Sequence, residues 1–190
     1  MKKFLGKYRI SSIRLSGWDY GSPGIYFVTI CTRQRINYFG DIISNPVEPH
    51  NYVAPRGNKT ESKSNTKNVI EYNQIGKIAQ KYWIEIPKHF PFVELDEFII
   101  MPNHIHGILS INRNEYTDWN QNKFGPQSNN LPSLIRGYKA SVKRFANKNN
   151  IEFFWQSRYY EHIIDDFDEL ERIRYYIKHN IQNWDRDEYY

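Results

Sequence analysis

The order of strand-like and helix-like segments predicts an α+β fold, a ferredoxin-like sandwich in which two helices cover one face of an antiparallel sheet. That order is strand, helix, strand, strand, helix, strand and then one further helix. The chain has 190 residues, enough for one complete hydrophobic core but cramped for a second domain. We therefore expect a single domain over residues 1–190, with a C-terminal helix added to the sandwich.

The first half of the chain predicts a strand, a long loop and a helix. Residues 25–33, IYFVTICTR, are rich in β-branched and aromatic side chains and follow an SPG turn signal, as is typical of a strand. Residues 44–68 are rich in Ser, Asn, Pro and Lys and predict a flexible loop. From Val69 to Ile86 apolar residues recur at helical spacing, and Pro87 ends the pattern.

The second half predicts a hairpin, two helices and a strand. The segments FVELDEFIIM and HIHGILSI read as strands separated by only two residues. A polar, flexible loop at 112–130 leads to a basic helix from about Pro132 to Asn147. FWQSRYYEHIID contains a further strand, and the last helix begins at Asp165 or Asp166, either of which is a suitable N-cap.

Composition restricts the partners and the compartment. The net charge of +5 and the pI of about 9.1 favour a polyanionic partner, and charge alone leaves nucleic acid and an acidic membrane surface both open. No apolar run approaches the ~18 residues of a membrane-spanning helix, so we expect a cytoplasmic protein without a membrane partner. The single cysteine, Cys31, excludes an intramolecular disulfide and fits a buried strand position.

A histidine pair stands in the second strand of the predicted hairpin. Side chains at i and i+2 of a strand share a face, so His104 and His106 project together and Ile105 points to the other side. Two neutral imidazoles in that arrangement are half of a metal site. The alternative is structural, with one histidine at a sheet edge and the other satisfying a core hydrogen bond.

The string VELDEFIIMPNHIHGIL resembles the signature of the HUH single-strand transposases with one catalytic tyrosine. More narrowly, it is similar to the REP-associated tyrosine transposases, whose pattern is Met-Pro-Asn-His-hydrophobic-His. The resemblance continues through GIYFVTICTRQR, LIRGYKASVKRF, WQSRYYEHII and RIRYYIKHN. It does not cover the two polar loops.

The resemblance implies an enzyme that cuts and rejoins single-stranded DNA at hairpin-flanked sites through a covalent 5′-phosphotyrosine. It also implies a divalent metal cofactor, Mg²⁺ or Mn²⁺, and a protein that works as a monomer or a homodimer. The fold it implies is the same sandwich, with the tyrosine on the C-terminal helix.

Two adjacent tyrosines compete for the role of nucleophile. At about 100° per residue, Tyr176 lies roughly 100° from the centre of the apolar stripe of the last helix and Tyr175 roughly 160°, on the solvent side. Tyr176 is therefore placed at the helix flank, over the sheet, and the resemblance makes it the catalytic residue. Asn180, one turn on, matches the family's amide ligand; it could equally be a helix C-cap. The family usually has proline at the position of Ile181.

The expected site therefore consists of the catalytic Tyr176 and the metal ligands His104, His106 and Asn180. Basic side chains are expected to bind DNA phosphates and make the affinity salt-sensitive. A solvated helix face is the structural alternative for several of them. The expected DNA-binding residues are Arg33, Arg35, Arg136, Lys139, Lys143, Arg144 and Arg158.

Two other functions are compatible with the same residues. A catalytically silent nucleic-acid-binding module would bind without cleavage. A metal-dependent hydrolase would use the histidine pair to activate water and would cleave without a covalent adduct.

Overall fold

A computed structural model describes residues 3–4, 7–8, 19–46, 66–113 and 128–186. The strands are β1 Lys3–Phe4, β2 Lys7–Tyr8, β3 Gly24–Cys31, β4 Gly40–Pro46, β5 Thr66–Tyr72, β6 Val93–Ile100, β7 His104–Ile111 and β8 Tyr160–Ile164. The helices are α1 Gln74–Ile84, α2 Ile86–His89, α3 Leu131–Lys148 and α4 Phe167–His179, with 3-10 segments at Arg33–Arg35 and Asn180–Arg186.

Four strands form the central sheet in the order β6-β7-β3-β8, with every neighbouring pair antiparallel. The predicted α+β sandwich with an antiparallel sheet is therefore confirmed. Two small hairpins, β1–β2 and β4–β5, form separate sheets.

The alternation of side chains along β7 separates two hydrophobic layers. Ile105, Leu109 and Ile111 join the larger core, which contains apolar residues of α1 and α3. Ile108 points the other way and packs with Leu170 and other apolar residues of α4. The last helix thus lies on the opposite face of the sheet from α1 and α3.

Side-chain caps fix where the long helices begin. Asn73 accepts hydrogen bonds from two backbone amides of α1, and Asn130 forms a capping box with Ser133 at the start of α3. Asp166 accepts from the Glu169 amide, so it is the N-cap of α4, as one of the two predicted alternatives had it.

Several predicted boundaries were wrong. Residues 69–72 belong to β5, so α1 begins five residues later than the apolar pattern indicates. Pro87 does not end a helix; it lies in the first turn of α2, where its missing N–H carries no penalty. Residues 44–46 and 66–68 were predicted as loop and are paired strands, because a two-stranded ladder forms through backbone groups and tolerates polar side chains.

The remaining parts of the predicted loops, residues 47–65 and 114–127, lie outside the described residues. Within the part of the chain that the structure describes, no helix has the length and apolar character needed to cross a membrane.

Gly107 of β7 provides a test of the packing beneath the site. A Cβ at this position would lie 2.3 Å from Cζ2 of the fully buried Trp83. We expect Gly107→Ala to lower the free energy of unfolding by about 1–3 kcal/mol through overpacking. Gly137→Ala in α3 is the matched control because its added methyl group meets open space, and it should raise stability by up to about 1 kcal/mol. Equal urea midpoints for Gly107→Ala and wild type would contradict the packing.

Candidate active site

His104 and His106 lie side by side on the face of the sheet covered by α4. Both are buried, with relative exposures of 0% and 1%, and their ring centroids are 4.4 Å apart. Ile105, between them, is in the opposite core. The strand alternation therefore brings the two imidazoles together as a pair.

A polar neighbour holds the Nδ1 atom of each imidazole. Thr29, directly opposite His106 in the β3–β7 register, places its Oγ1 2.8 Å from Nδ1 of His106. The side-chain oxygen of Asn103 lies 2.8 Å from Nδ1 of His104. Since an amide oxygen only accepts, Nδ1 of His104 carries the proton and Nε2 carries the lone pair. Such outer contacts orient histidine ligands in metal sites.

Burial keeps both histidines neutral. Desolvation lowers the pKa of His106 from 6.5 to about 3. Desolvation also holds the pKa of His104 well below its usual value, and the charge of Arg35 lowers it further. Neutral imidazoles are the form that binds metals.

Tyr176 is the tyrosine that reaches the histidine pair. Its hydroxyl lies 3.0 Å from Nε2 of His106, and its ring packs edge-on against Phe27. Tyr175 points away, with 65% of its surface exposed against 39% for Tyr176, and stacks on His179. The hydroxyl of Tyr176 and the two imidazoles therefore form one cluster.

Asn180 begins the 3-10 segment that follows α4 and is buried, with 2% exposure. Trp184 of the same segment stacks on His104, with ring centroids 6.0 Å apart. Gln182 binds both backbone groups of Asn68 in β5, its Oε1 accepting from N–H at 3.1 Å and its Nε2 donating to C=O at 2.7 Å. The segment is thus held between the histidine strand and the β4–β5 hairpin.

The turn Arg33–Arg35 adjoins the start of β7. The amide of Thr32 donates to the carbonyl of Asn103, the residue before His104. Arg35 has a positive φ of 55°, which is uncommon for a residue other than glycine, and its charge acts on His104. Arg33 lies beside Phe154. The two arginines are exposed at the border of the cluster.

Two lysines of α3 are hydrogen-bonded within the protein. Lys139 donates from Nζ to the carbonyls of Gln156 and Arg158, and Lys143 donates to the carbonyl of Phe153. Desolvation lowers the pKa of Lys139 to about 8. These ammonium groups tie α3 to the segment before β8.

The other basic residues named from the sequence are spread over the surface. Arg136, Arg144 and Arg158 are exposed. Arg144 lines a cavity of about 640 Å³ between α1, α2 and α3, behind the sheet as seen from the histidines. The structure therefore brings Arg35 to the histidine cluster but places Arg144 on a different side of the molecule.

A group of three acidic residues lies at the start of α4. Asp165, Asp166 and Glu169 have carboxylate oxygens within 4.8 Å of one another. Asp166 caps the helix, and Glu169 lies 2.9 Å from His162. Helix capping and the hydrogen bond between His162 and Glu169 explain the cluster without a metal.

Comparison with known proteins places the chain in a family. No protein-family model matches it. A protein of Haemophilus influenzae, of uncharacterized function, is 34% identical over 194 residues, which is 97% of this chain and 95% of that protein. The chain belongs to the family of that Haemophilus protein.

A solved structure shows the same fold. A REP-associated tyrosine transposase bound to a REP hairpin matches with a TM-score of 0.52 at 15% identity, covering 90% of this chain and 72% of that one. At this identity the likeness shows the fold, an antiparallel sheet with helices as in that transposase.

Thr29 and Asn103, which contact the two imidazoles, were not predicted from the sequence as part of the site. Thr29 could have been recognised as a candidate, because it is a polar residue within the apolar strand segment IYFVTIC. Its position opposite His106 depends on strand register, which the run alone does not determine. Asn103 directly precedes His104, but the sequence alone did not assign it a contact with the imidazole.

The depressed histidine pKa values predict acid sensitivity of the metal-free protein. As the pH falls below about 6.5, the unfolded chain binds protons at both positions, while in the folded protein His106 stays neutral until about pH 3 and the pKa of His104 also lies well below 6.5. The free energy of unfolding should therefore fall with pH across this window, by up to about 1.4 kcal/mol per unit for each histidine.

Chemical denaturation in the presence of a chelator between pH 6.5 and 4.5 measures this slope. His106→Asn should reduce the slope, and His89→Asn, which removes an exposed histidine, is the control. A His106→Asn slope equal to that of wild type would contradict the burial of a neutral imidazole.

Proposed function

We propose that the protein is a tyrosine transposase of the HUH type, an endonuclease that cuts and rejoins single-stranded DNA at hairpin-flanked sites. The observation that carries the proposal is the 3.0 Å separation between the Tyr176 hydroxyl and Nε2 of His106, in a cluster that includes His104. A candidate nucleophile and two candidate metal ligands meet there. The fold shared with a REP-associated tyrosine transposase and the sequence resemblance support the same function.

The proposed reaction is a transesterification at phosphorus. The Tyr176 Oη forms a bond to the scissile phosphate, the bond from phosphorus to the 3′ oxygen breaks, and that oxygen leaves as a 3′-hydroxyl after taking up a proton. The 5′ end stays attached to Tyr176. Because a phenolate leaves more readily than an alkoxide, attack by a 3′-hydroxyl reverses the step and rejoins DNA without an external energy source.

The residues present fit a divalent cation. His104, His106 and Asn180 would hold Mg²⁺ or Mn²⁺, since both imidazoles are neutral and buried and their Nδ1 atoms are held by protein groups. A bound cation supplies Lewis-acid stabilisation of the charge on the non-bridging phosphate oxygens. Two imidazole nitrogens also suit softer divalent metals.

In the metal-free protein, His106 orients Tyr176 rather than taking its proton. A group whose pKa lies near 3 is a weak base for a phenol with an ordinary pKa of about 10. The side chain of Tyr176 is 39% exposed, so water can accept the proton. When Nδ1 of His106 carries the proton, the one lone pair on Nε2 serves either the hydroxyl of Tyr176 or a metal ion at one time.

The arginines at the border of the cluster are the proposed contacts to the DNA backbone. Arg35 acts electrostatically on His104 and is therefore well placed for phosphates next to the scissile one. Arg33, Arg136 and Arg158 are exposed and would add salt-dependent affinity. Tyr160, half exposed beside Phe27, is available to stack on an unpaired base.

The hydrogen-bonded Lys139 and Lys143 would contribute positive potential to DNA binding from their places along α3. Arg144 lies behind the sheet as seen from the histidines. It would contact DNA only if the DNA extended around the molecule to the side covered by α1 and α3.

A denaturing gel tests the nucleophile. The protein is incubated with Mn²⁺ and labelled single strands that carry the hairpins flanking its own gene. We expect label to migrate with wild type and with Tyr175→Phe, whose hydroxyl is removed on the solvent side. In Tyr176→Phe the adduct should fall by at least about 10³-fold, because the attacking oxygen is gone.

The other two functions give different results on the same gel. Cleaved strand without adduct in wild type would indicate a hydrolase that uses water. Binding without either product, across several hairpins, would indicate a silent nucleic-acid-binding module. An adduct that persists in Tyr176→Phe would overturn the assignment of the nucleophile.

A further inference from the structure

A β-bulge in the edge strand β6 faces α4, the helix that carries Tyr176. The β6–β7 pairing shifts register between Leu95 and Phe98, so Asp96 and Glu97 together oppose a single residue of β7. The Asp96 carboxylate accepts a hydrogen bond from the amide of Glu97, at 2.6 Å. In a regular strand neighbouring side chains point to opposite faces, and a bulge changes where they point.

Both acidic side chains of the bulge pair with the same helix. Arg174 forms a two-pronged ion pair with the carboxylate of Asp96, with one contact at 2.9 Å from Nε to Oδ1. Lys178, one helical turn later, lies 2.9 Å from Glu97. The hydrogen bond from Arg174 lowers the pKa of Asp96, so its carboxylate is charged. We call these two ion pairs the bulge clasp.

The bulge clasp and Tyr176 occupy opposite flanks of α4. Tyr176 is two residues from Arg174 and two from Lys178, so at 3.6 residues per turn it lies about 160° around the helix from each of them. The buried Leu170 and Ile177 lie between them and rest on the sheet. The apolar contacts hold the helix on the sheet, and the charged contacts lie at one flank, where they oppose rotation of the helix about its axis.

We propose that Asp96 and Glu97 are positioning residues: the bulge clasp sets the rotation of α4 and thereby holds the Tyr176 hydroxyl at His106. The inference rests on the proposed role of Tyr176 as nucleophile. The bulge clasp would affect the reaction through the position of Tyr176, because a displacement of a catalytic group by about 1 Å can lower the rate about 100-fold.

If the bulge clasp only stabilised the fold, its loss would lower the thermal midpoint. The clasp residues are partly exposed, at 28% and 29% for Asp96 and Arg174 and 35% and 55% for Glu97 and Lys178. Ion pairs with this exposure contribute little to global stability. Loss of the clasp should therefore leave the thermal midpoint nearly unchanged while it displaces Tyr176.

The first readout does not need DNA or metal. The ¹⁵N resonances of the His106 imidazole report its hydrogen bond with Tyr176 in metal-free protein, and Tyr176→Phe gives the value without that bond. In the double variant Asp96→Asn, Glu97→Gln, both side chains keep their shape and lose their charge. We expect its His106 resonances to move towards those of Tyr176→Phe.

The second readout consists of two measurements, the rate of adduct formation and the affinity for single-stranded DNA. The double variant should form adduct at least about tenfold more slowly, with its Kd within about twofold of wild type. The charge swap Glu97→Lys with Lys178→Glu restores one pair in reverse and should recover more of the rate than Glu97→Lys alone. Lys88→Ala breaks an ion pair with Glu85 at a distance from the site and should change neither readout.

The inference would be overturned by unchanged His106 resonances in the double variant. It would also be overturned by a charge swap no faster than Glu97→Lys alone. Wild type that forms no adduct would refute the proposed function, while the imidazole resonances would still decide whether the clasp positions Tyr176. The two failures are thus distinguishable.

Discussion

The hydrogen bonds that hold the His106 imidazole between Thr29 and Tyr176 are the constraint on which the rest of the site depends. They join two strands of the sheet to the last helix through one buried side chain. A buried imidazole is stable in its neutral form, and burial here lowers its pKa to about 3. The same burial that makes His106 a weak base makes it available as a neutral ligand.

The two faces of the sheet differ in what they bury. Behind β7, Trp83 packs against Gly107 and the larger core lies under α1 and α3. In front, the histidine pair lies beneath Tyr176 with a much smaller apolar cluster around Ile108. Because α4 has few buried apolar anchors, its position relies more on polar contacts at its flanks and at its C-terminal end.

The sequence allowed the fold and the mutual placement of His104, His106 and Tyr176 to be predicted, because both depend on local periodicity. Spacing of two along a strand placed His104 and His106 on one face, and helical spacing placed Tyr176, not Tyr175, over the sheet. The predicted start of α1 was wrong. Residues 44–46 and 66–68, which form strands, were wrongly predicted as loop. Polar residues in a two-stranded ladder show no alternation, so composition indicated a loop.

What could not be predicted depends on register and on single-residue irregularities. Thr29 contacts His106 because β3 and β7 pair in one register, and the bulge at Asp96 comes from one extra residue in β6. Lys139 and Lys143 showed only a charge pattern, which does not reveal that their ammonium groups bind backbone carbonyls.

Mass spectrometry of the digested covalent complex would determine which residue carries the DNA. If Tyr176 forms a phosphodiester bond to the 5′ end of cleaved DNA at the histidine pair, a single peptide containing Tyr175 and Tyr176 will carry the nucleotide. Its fragment ions will place the phosphate on Tyr176 and leave Tyr175 unmodified. A phosphate on Tyr175 or on any other residue, or its absence from the protein when cleaved strand is present, would show that Tyr176 is not the nucleophile.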